Sequence, residues 1–136
     1  MDSNPIPFPS NSARASGTIL VVDDEESVRI ITSRMLEFFG YSVLLAKNGK
    51  QGIQVFKTKK DTISAIILDM TLPDISGEDV FREFQLIRND ARVLLISGYN
   101  EADAMERFAG KGLAGFLQKP FAPPELREKL RTILET

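Results

Sequence analysis

The chain has 136 residues, 43% of them hydrophobic and 26% charged, with a net charge of -2 and no histidine, cysteine or tryptophan. That size buries a core without disulfides or a structural metal. The missing residue types exclude a Ser-His-Asp relay, a thiolate or imidazole metal site, a cysteine nucleophile and a phosphohistidine, and the charge balance offers no basic footprint for nucleic acid.

Residues 1–17 are rich in proline and serine and show no hydrophobic period, so a disordered tail or linker is predicted there. They lack the basic start and apolar block of a signal peptide. The apolar runs at 19–22 and 93–96 fall far short of the ~20 residues a membrane helix needs. With no cysteine to suggest an oxidising compartment, a cytoplasmic location without membrane contact is expected. The folded domain is expected over 18–136.

Thr18 to Val22 reads as a strand ending at Asp23-Asp24. Glu25 to Phe39 reads as a helix with Val28, Ile31, Met35 and Phe38 on its inward face, closed by Gly40. A strand over Tyr41 to Ala46 follows, then a helix opened by Asn48-Gly49 and running to Lys59, with Ile53 and Phe56 inward. Ile63 to Leu68 is a third strand, ending at Asp69. Leu72-Pro73-Asp74 forms a loop before a helix from Gly77 to Arg88, buried through Val80, Phe84 and Ile87. Arg92 to Ile96 is a fourth strand, ending at Ser97-Gly98, and Asn100 to Ala109 is a helix stopped by Gly110 and Gly112. Leu113 to Leu117 is the fifth strand. Lys119-Pro120 follows it, and Pro123-Pro124 open a last helix with Leu126, Leu130 and Ile133 inward. Ala122 supplies no capping side chain there, and proline replaces it in part by lacking an N–H.

Nearly continuous apolar strands alternating with amphipathic helices imply a parallel sheet covered on both faces. Right-handed crossovers make this an α/β doubly wound sandwich, whose ligands bind at the carboxyl ends of the strands. Those ends carry Asp23, Asp24 and Glu25, then Asp69, Ser97 and Lys119. Carboxylates gathered in one place raise one another's pKa unless a cation sits among them. Magnesium suits such a set, because it takes one or two carboxylates and completes its shell with water and phosphate oxygens. Lys119 adds a point positive charge and Ser97 a hydroxyl. Together they suit a dianionic phosphoryl group, with one carboxylate left as nucleophile. Singly, each residue has an ordinary reading. Asp23-Asp24 fits a helix cap, Asp69 and Ser97 fit turns, Lys119 a solvated charge and Phe116 a core strand. Four strand ends converging on one crevice favour the site.

Four segments carry a more specific pattern: Ile19 to Glu25, Leu68 to Gly77, Leu95 to Gly98, and Gly115 to Phe121. In this order and spacing they resemble the receiver domain of two-component response regulators, over Thr18 to Leu134. The resemblance implies a flavodoxin-like, five-stranded parallel sheet of order 2-1-3-4-5 with five helices. It implies that Asp69 accepts a phosphoryl group from the phosphohistidine of a histidine kinase or phosphotransfer protein. Asp23, Asp24, Asp69 and the backbone carbonyl of Thr71 would hold Mg2+ or Mn2+. Lys119 would pair with the phosphoryl oxygens, Ser97 would donate to them, and the Lys119-Pro120 peptide would be cis. Phe116 stands at the switching aromatic position. Phosphorylation would reshape the face of the fourth helix, fifth strand and fifth helix, which a downstream protein reads or through which two copies pair. Activity would be confined to the domain's own phosphotransfer and autodephosphorylation.

Thr71 and Tyr99 occupy the two positions that tune rate in such domains. A bulky Tyr99 is expected to shield the acyl phosphate, so Tyr99→Ala should hasten its hydrolysis; an unchanged phosphate half-life speaks against this. The stretch from Phe108 to Phe121 looks most like receivers of hybrid sensor histidine kinases, with residues 1–17 as the linker; a stand-alone regulator is the other reading. Three other functions compete. A phosphorylation-independent interaction domain would not need the full polar set. A small aspartyl-phosphate phosphatase would place a second Asp where Thr71 stands. A flavin carrier would have its cofactor phosphate repelled by the acidic run from Asp23 to Glu26.

Overall fold

Strands and helices alternate throughout the described residues. They are β1 (Thr18–Val22), α1 (Glu26–Phe39), β2 (Ser42–Ala46), α2 (Gly49–Lys59), β3 (Ile63–Asp69), α3 (Gly77–Ile87), β4 (Val93–Ser97), α4 (Glu101–Arg107), β5 (Gly115–Gln118) and α5 (Pro123–Glu135). This is a computed structural model, which describes residues 16–98, 100–108 and 110–135. Residues 1–15 of the tail predicted over 1–17 lie outside the described residues. The five strands form one parallel sheet in the order β2-β1-β3-β4-β5. The sequence therefore led to the correct architecture.

Side-chain alternation along the central strands builds two cores. Leu20, Val22, Ile66, Leu68, Val93 and Leu95 point to one face, where Phe56 of α2, Phe81 and Phe84 of α3, and Ala104 of α4 cover them. Ile19, Val21, Ala65, Ile67, Leu94 and Ile96 point to the other, against Leu36 and Phe39 of α1 and Leu126, Leu130 and Ile133 of α5. Edge-to-face ring pairs, Phe56 with Phe84 at 5.3 Å and Phe81 with Phe108 at 5.6 Å, lock the first layer. Helices thus cover both faces, and the ends of the central strands are left free. Among the described residues, no helix is long and apolar enough to cross a membrane.

The inward face of α1 is not the expected one. Ile31 and Phe38 are 54% and 56% exposed, while Thr32, Leu36 and Phe39 are buried; Val28 and Met35 lie between these extremes. The helix carries apolar residues at 28, 30, 31, 35, 36, 38 and 39, so two faces about 100° apart are nearly equal by periodicity alone. The exit decides between them. Gly40 takes a left-handed φ of 110°, and Tyr41 N donates to Leu36 O at 3.0 Å. This C-terminal cap turns the chain into β2 and sets Leu36 and Phe39 against the sheet.

The other differences are smaller. Helix α3 also buries Phe81, while Ile87 is only half-buried. Helix α4 begins after Asn100, whose side chain accepts from Asp103 N, and ends at Arg107, with Phe108 as its cap; Ala109 lies outside the described residues. Gly110 and Gly112 have φ of 70° and 85°, and the turn they make delays β5 to Gly115. Helix α5 does have a side-chain cap. Glu125 Oε1 accepts from Ala122 N at 2.8 Å. That is the returning half of a capping box, legible as a Glu three residues after the cap position.

Candidate functional site

The site is assembled by three backbone continuations past the strand ends. Asp23 N donates to Ala46 O at 3.1 Å, which extends the β1 ladder by one residue. Strand β3 includes Asp69, and Met70 N donates to Ile96 O at 2.9 Å. Lys119 N donates to Ser97 O at 2.8 Å. Each strand is held rigidly up to the residue that carries a functional group, so these groups share one edge of the sheet.

Asp23 and Asp69 are 4% and 5% exposed, and Ser97 is 1% exposed. Burying carboxylates is costly unless they are paired. Lys119 Nζ lies 3.4 Å from Asp23 Oδ2, 3.5 Å from Asp69 Oδ2 and 3.9 Å from Glu25 Oε1. Backbone N–H groups hold the other oxygens. Glu25 N donates to Asp23 Oδ1 at 2.9 Å, and Thr71 N donates to Asp69 Oδ1 at 3.1 Å. Asp24 is exposed at the mouth. One oxygen each from Asp23, Asp24 and Asp69 lie within 4.8 Å of one another. The Lys119-Pro120 peptide is cis. Phe116 is buried in the layer that includes Ala104 and Phe108. Thr71 is exposed, and Tyr99 lies outside the described residues.

The electrostatics show a surplus of negative charge. Burial pushes the Asp69 carboxyl up to about 6; Asp23 and Asp24 push the same way, and the Thr71 N–H and Lys119 only partly oppose them. Burial acts to lower Lys119, but Asp69, Asp23 and Glu25 outweigh it and raise its pKa. One ammonium faces three carboxylates, so it stays charged while Asp69 remains under-compensated. An oxygen-donor set with residual negative charge fits a hard divalent cation such as Mg2+.

Sequence reasoning missed two supports. Asp74 accepts from Gly49 N and Lys50 N, both at 2.9 Å. Burial, the largest single influence, acts to raise this carboxyl, but the backbone N–H bonds together outweigh it and lower it. The contact ties the loop after Asp69 to the N-terminus of α2, where orphan N–H groups attract an anion. Arg29 Nη1 donates to Asp23 O at 2.8 Å. Glu25, rather than Asp23, holds the cap position of α1, without a side-chain bond.

Gly77 closes the loop on the other side. A Cβ there would lie 2.7 Å from Met70 O and 3.1 Å from Met70 Cα, in the backbone directly after Asp69. Gly77→Ala is expected to lower stability by about 2 kcal/mol through this clash. An unchanged thermal midpoint would show that α3 can retreat at no cost.

The doubly wound sheet with acids, hydroxyl and lysine at its carboxyl edge defines an α/β domain of the flavodoxin-like class. Residues 19–131 match the family model described as the response regulator receiver domain, and the chain belongs to that family. It is 36% identical over 118 residues to the Response regulator MprA of Mycolicibacterium vanbaalenii, covering 85% of this chain and 49% of that protein. It is 28% identical over 120 residues to the Sensor kinase CckA of Brucella abortus, covering 88% of this chain and 13% of that protein. A response regulator receiver domain protein from Clostridium thermocellum superposes with a TM-score of 0.83 at 28% identity, covering 88% and 94% of the two chains. The chain thus spans half or less of the curated relatives it matches.

Proposed function

We propose that the chain is a phosphoacceptor switch, in which Asp69 takes a phosphoryl group from a phosphohistidine on a histidine kinase or phosphotransfer protein. The observation that carries this reading is the setting of Asp69: 5% exposed, yet 3.5 Å from Lys119 and beside two further carboxylates. The Asp69 carboxyl, pushed up to about 6, still ionises below pH 7 and is available as a nucleophile. A carboxylate oxygen attacks phosphorus, the P–N bond breaks with its electron pair going to the imidazole, and an acyl phosphate forms. Lys119 Nζ, held beside that oxygen, pairs with the phosphoryl oxygens. Ser97, at the end of β4, donates its hydroxyl to them.

Asp23, Asp24 and Asp69 would hold Mg2+ or Mn2+, with the Thr71 carbonyl as a further ligand. When bound, the cation would neutralise charge on the phosphoryl oxygens. Phosphorylation raises the local charge from one negative unit to about two and adds acceptor oxygens. Ser97 moves toward them, and Phe116 occupies the space behind it. Phe116 is packed in here, so the phosphoryl group would raise the population of this arrangement. The face of α4, β5 and α5 would then be read by a downstream protein or by a second copy. A groove of about 510 Å3 lined by Glu101, Phe116, Lys119 and Lys129 opens beside it.

Intact mass after incubation with Mg2+ and a small phosphodonor tests the proposal. A single phosphate adduct mapping to Asp69, and absent with chelator, is expected. No adduct, or steady turnover of unrelated phosphate esters, would overturn it.

A further inference from the structure

We propose that Arg29 is a positioning residue that sets the spacing of Asp23 and Asp24 for the divalent cation, by clamping the peptide that joins them. The inference rests on the metal reading above. Asp23 itself is secured from several sides. Its N–H is in the ladder to Ala46 O, its Oδ1 accepts from Glu25 N at 2.9 Å, and its Oδ2 lies 3.4 Å from Lys119 Nζ. Asp24 is different. It is exposed, and among the described residues no hydrogen bond to its carboxylate is present. Its position depends on the backbone that carries it.

That backbone is held from one turn into α1. Arg29 N donates to Glu25 O at 2.9 Å, the first helical bond, and Arg29 Nη1 folds back onto Asp23 O at 2.8 Å. The carbonyl of Asp23 lies in the same rigid plane as the N–H of Asp24. Fixing the oxygen fixes the rotation of that plane, and with it the Cα from which the Asp24 carboxylate projects. The carbonyl sits just past the end of β1, and the half-buried guanidinium supplies a donor to it. Outer partners of this kind orient metal ligands without touching the metal.

Charge and positioning predict opposite signs here. A guanidinium beside a cation site repels the cation, so charge alone makes its removal tighten binding. Loss of the clamp loosens it. Mn2+ affinity, read from the free-ion electron paramagnetic signal with no phosphodonor present, separates the two. Arg29→Met keeps the apolar stem and removes both charge and donor. It is expected to weaken Mn2+ binding about tenfold, with the metal-free protein still folded by circular dichroism. Affinity equal to or tighter than that of the unmodified chain overturns the inference. If Arg29→Met does not fold, Arg29→Gln is measured instead; its amide is too short to reach the Asp23 carbonyl, and the same weakening is expected and the same result is decisive. Failure of the unmodified chain to bind Mn2+ removes the metal reading itself, and this inference with it.

Discussion

Asp69→Asn is expected to abolish the phosphate adduct and to make the metal-free protein more stable at pH 7. The first effect follows because an amide oxygen is a poor nucleophile and cannot form the acyl phosphate. The second follows from the cost of keeping Asp69 charged. Burial, with Asp23 and Asp24 nearby, raises this carboxyl from 3.8 to about 6. The folded state therefore favours the protonated form. Below the unfolded value both states are protonated and folding incurs no penalty. The penalty grows as pH rises from about 4 to 6 and is complete above that. A shift of this size corresponds to about 3 kcal/mol. That shift already includes the opposing attraction of Lys119; partial solvent access at the mouth reduces the gain to about 2 kcal/mol, while the Thr71 N–H keeps an oxygen acceptor. Urea unfolding of both proteins at pH 4, 5, 6 and 7 in chelator checks this. A gap that does not widen across that interval contradicts the account, whatever the adduct measurement shows.

The parts of this domain that were legible in the sequence are those fixed by short-range pattern. Apolar runs mark every strand, and four of the five stop at residues that share the carboxyl edge of the sheet: Asp23, Asp69, Ser97 and, just past β5, Lys119. Parallel strands have their carboxyl ends on one side, so the convergence needed no knowledge of distances. Helix periodicity failed where it was degenerate, in α1, because the choice between two apolar faces was made by the Gly40 turn rather than by the helix. The supports of the site were hidden for another reason. Asp74 finds its N–H partners at Gly49 and Lys50, on a different element. A local reading sees only a turn residue after proline. Arg29 is one more polar position on α1, and nothing in its sequence neighbours marks that its side chain turns back onto Asp23. The cap formed by Glu125 is visible as spacing, a carboxylate three residues after Ala122.

Lys119→Met should have the opposite stability effect to Asp69→Asn, with a pH signature that ties the two together. Nζ is the cation shared by Asp23, Asp69 and Glu25, and its side chain is only 22% exposed. Removing it leaves two buried carboxylates facing each other, and breaking a buried pair typically costs about 3–5 kcal/mol. Partial solvent access at the mouth reduces this to about 2 kcal/mol. The pKa of Lys119 is raised above its ordinary 10.5. Its own contribution is therefore fully present below that value and is lost only as pH rises through the higher folded value, so between pH 4 and 7 the lysine does not titrate. Any change in the effect over that interval comes from the acids. Protonating Asp69 near pH 4 removes one of the two uncompensated charges, so the loss should shrink there, and Mg2+ should restore part of it at pH 7. Phosphorylation tests the other role of the same group. Without Nζ beside Asp69, nothing replaces its pairing with the phosphoryl oxygens, and the rate of adduct formation in saturating Mg2+ should fall on the order of a hundredfold. A variant that loads at the original rate, or one whose loss of stability is the same at pH 4 and 7, would show that Lys119 is a solvated charge and that the buried acids are balanced by something else.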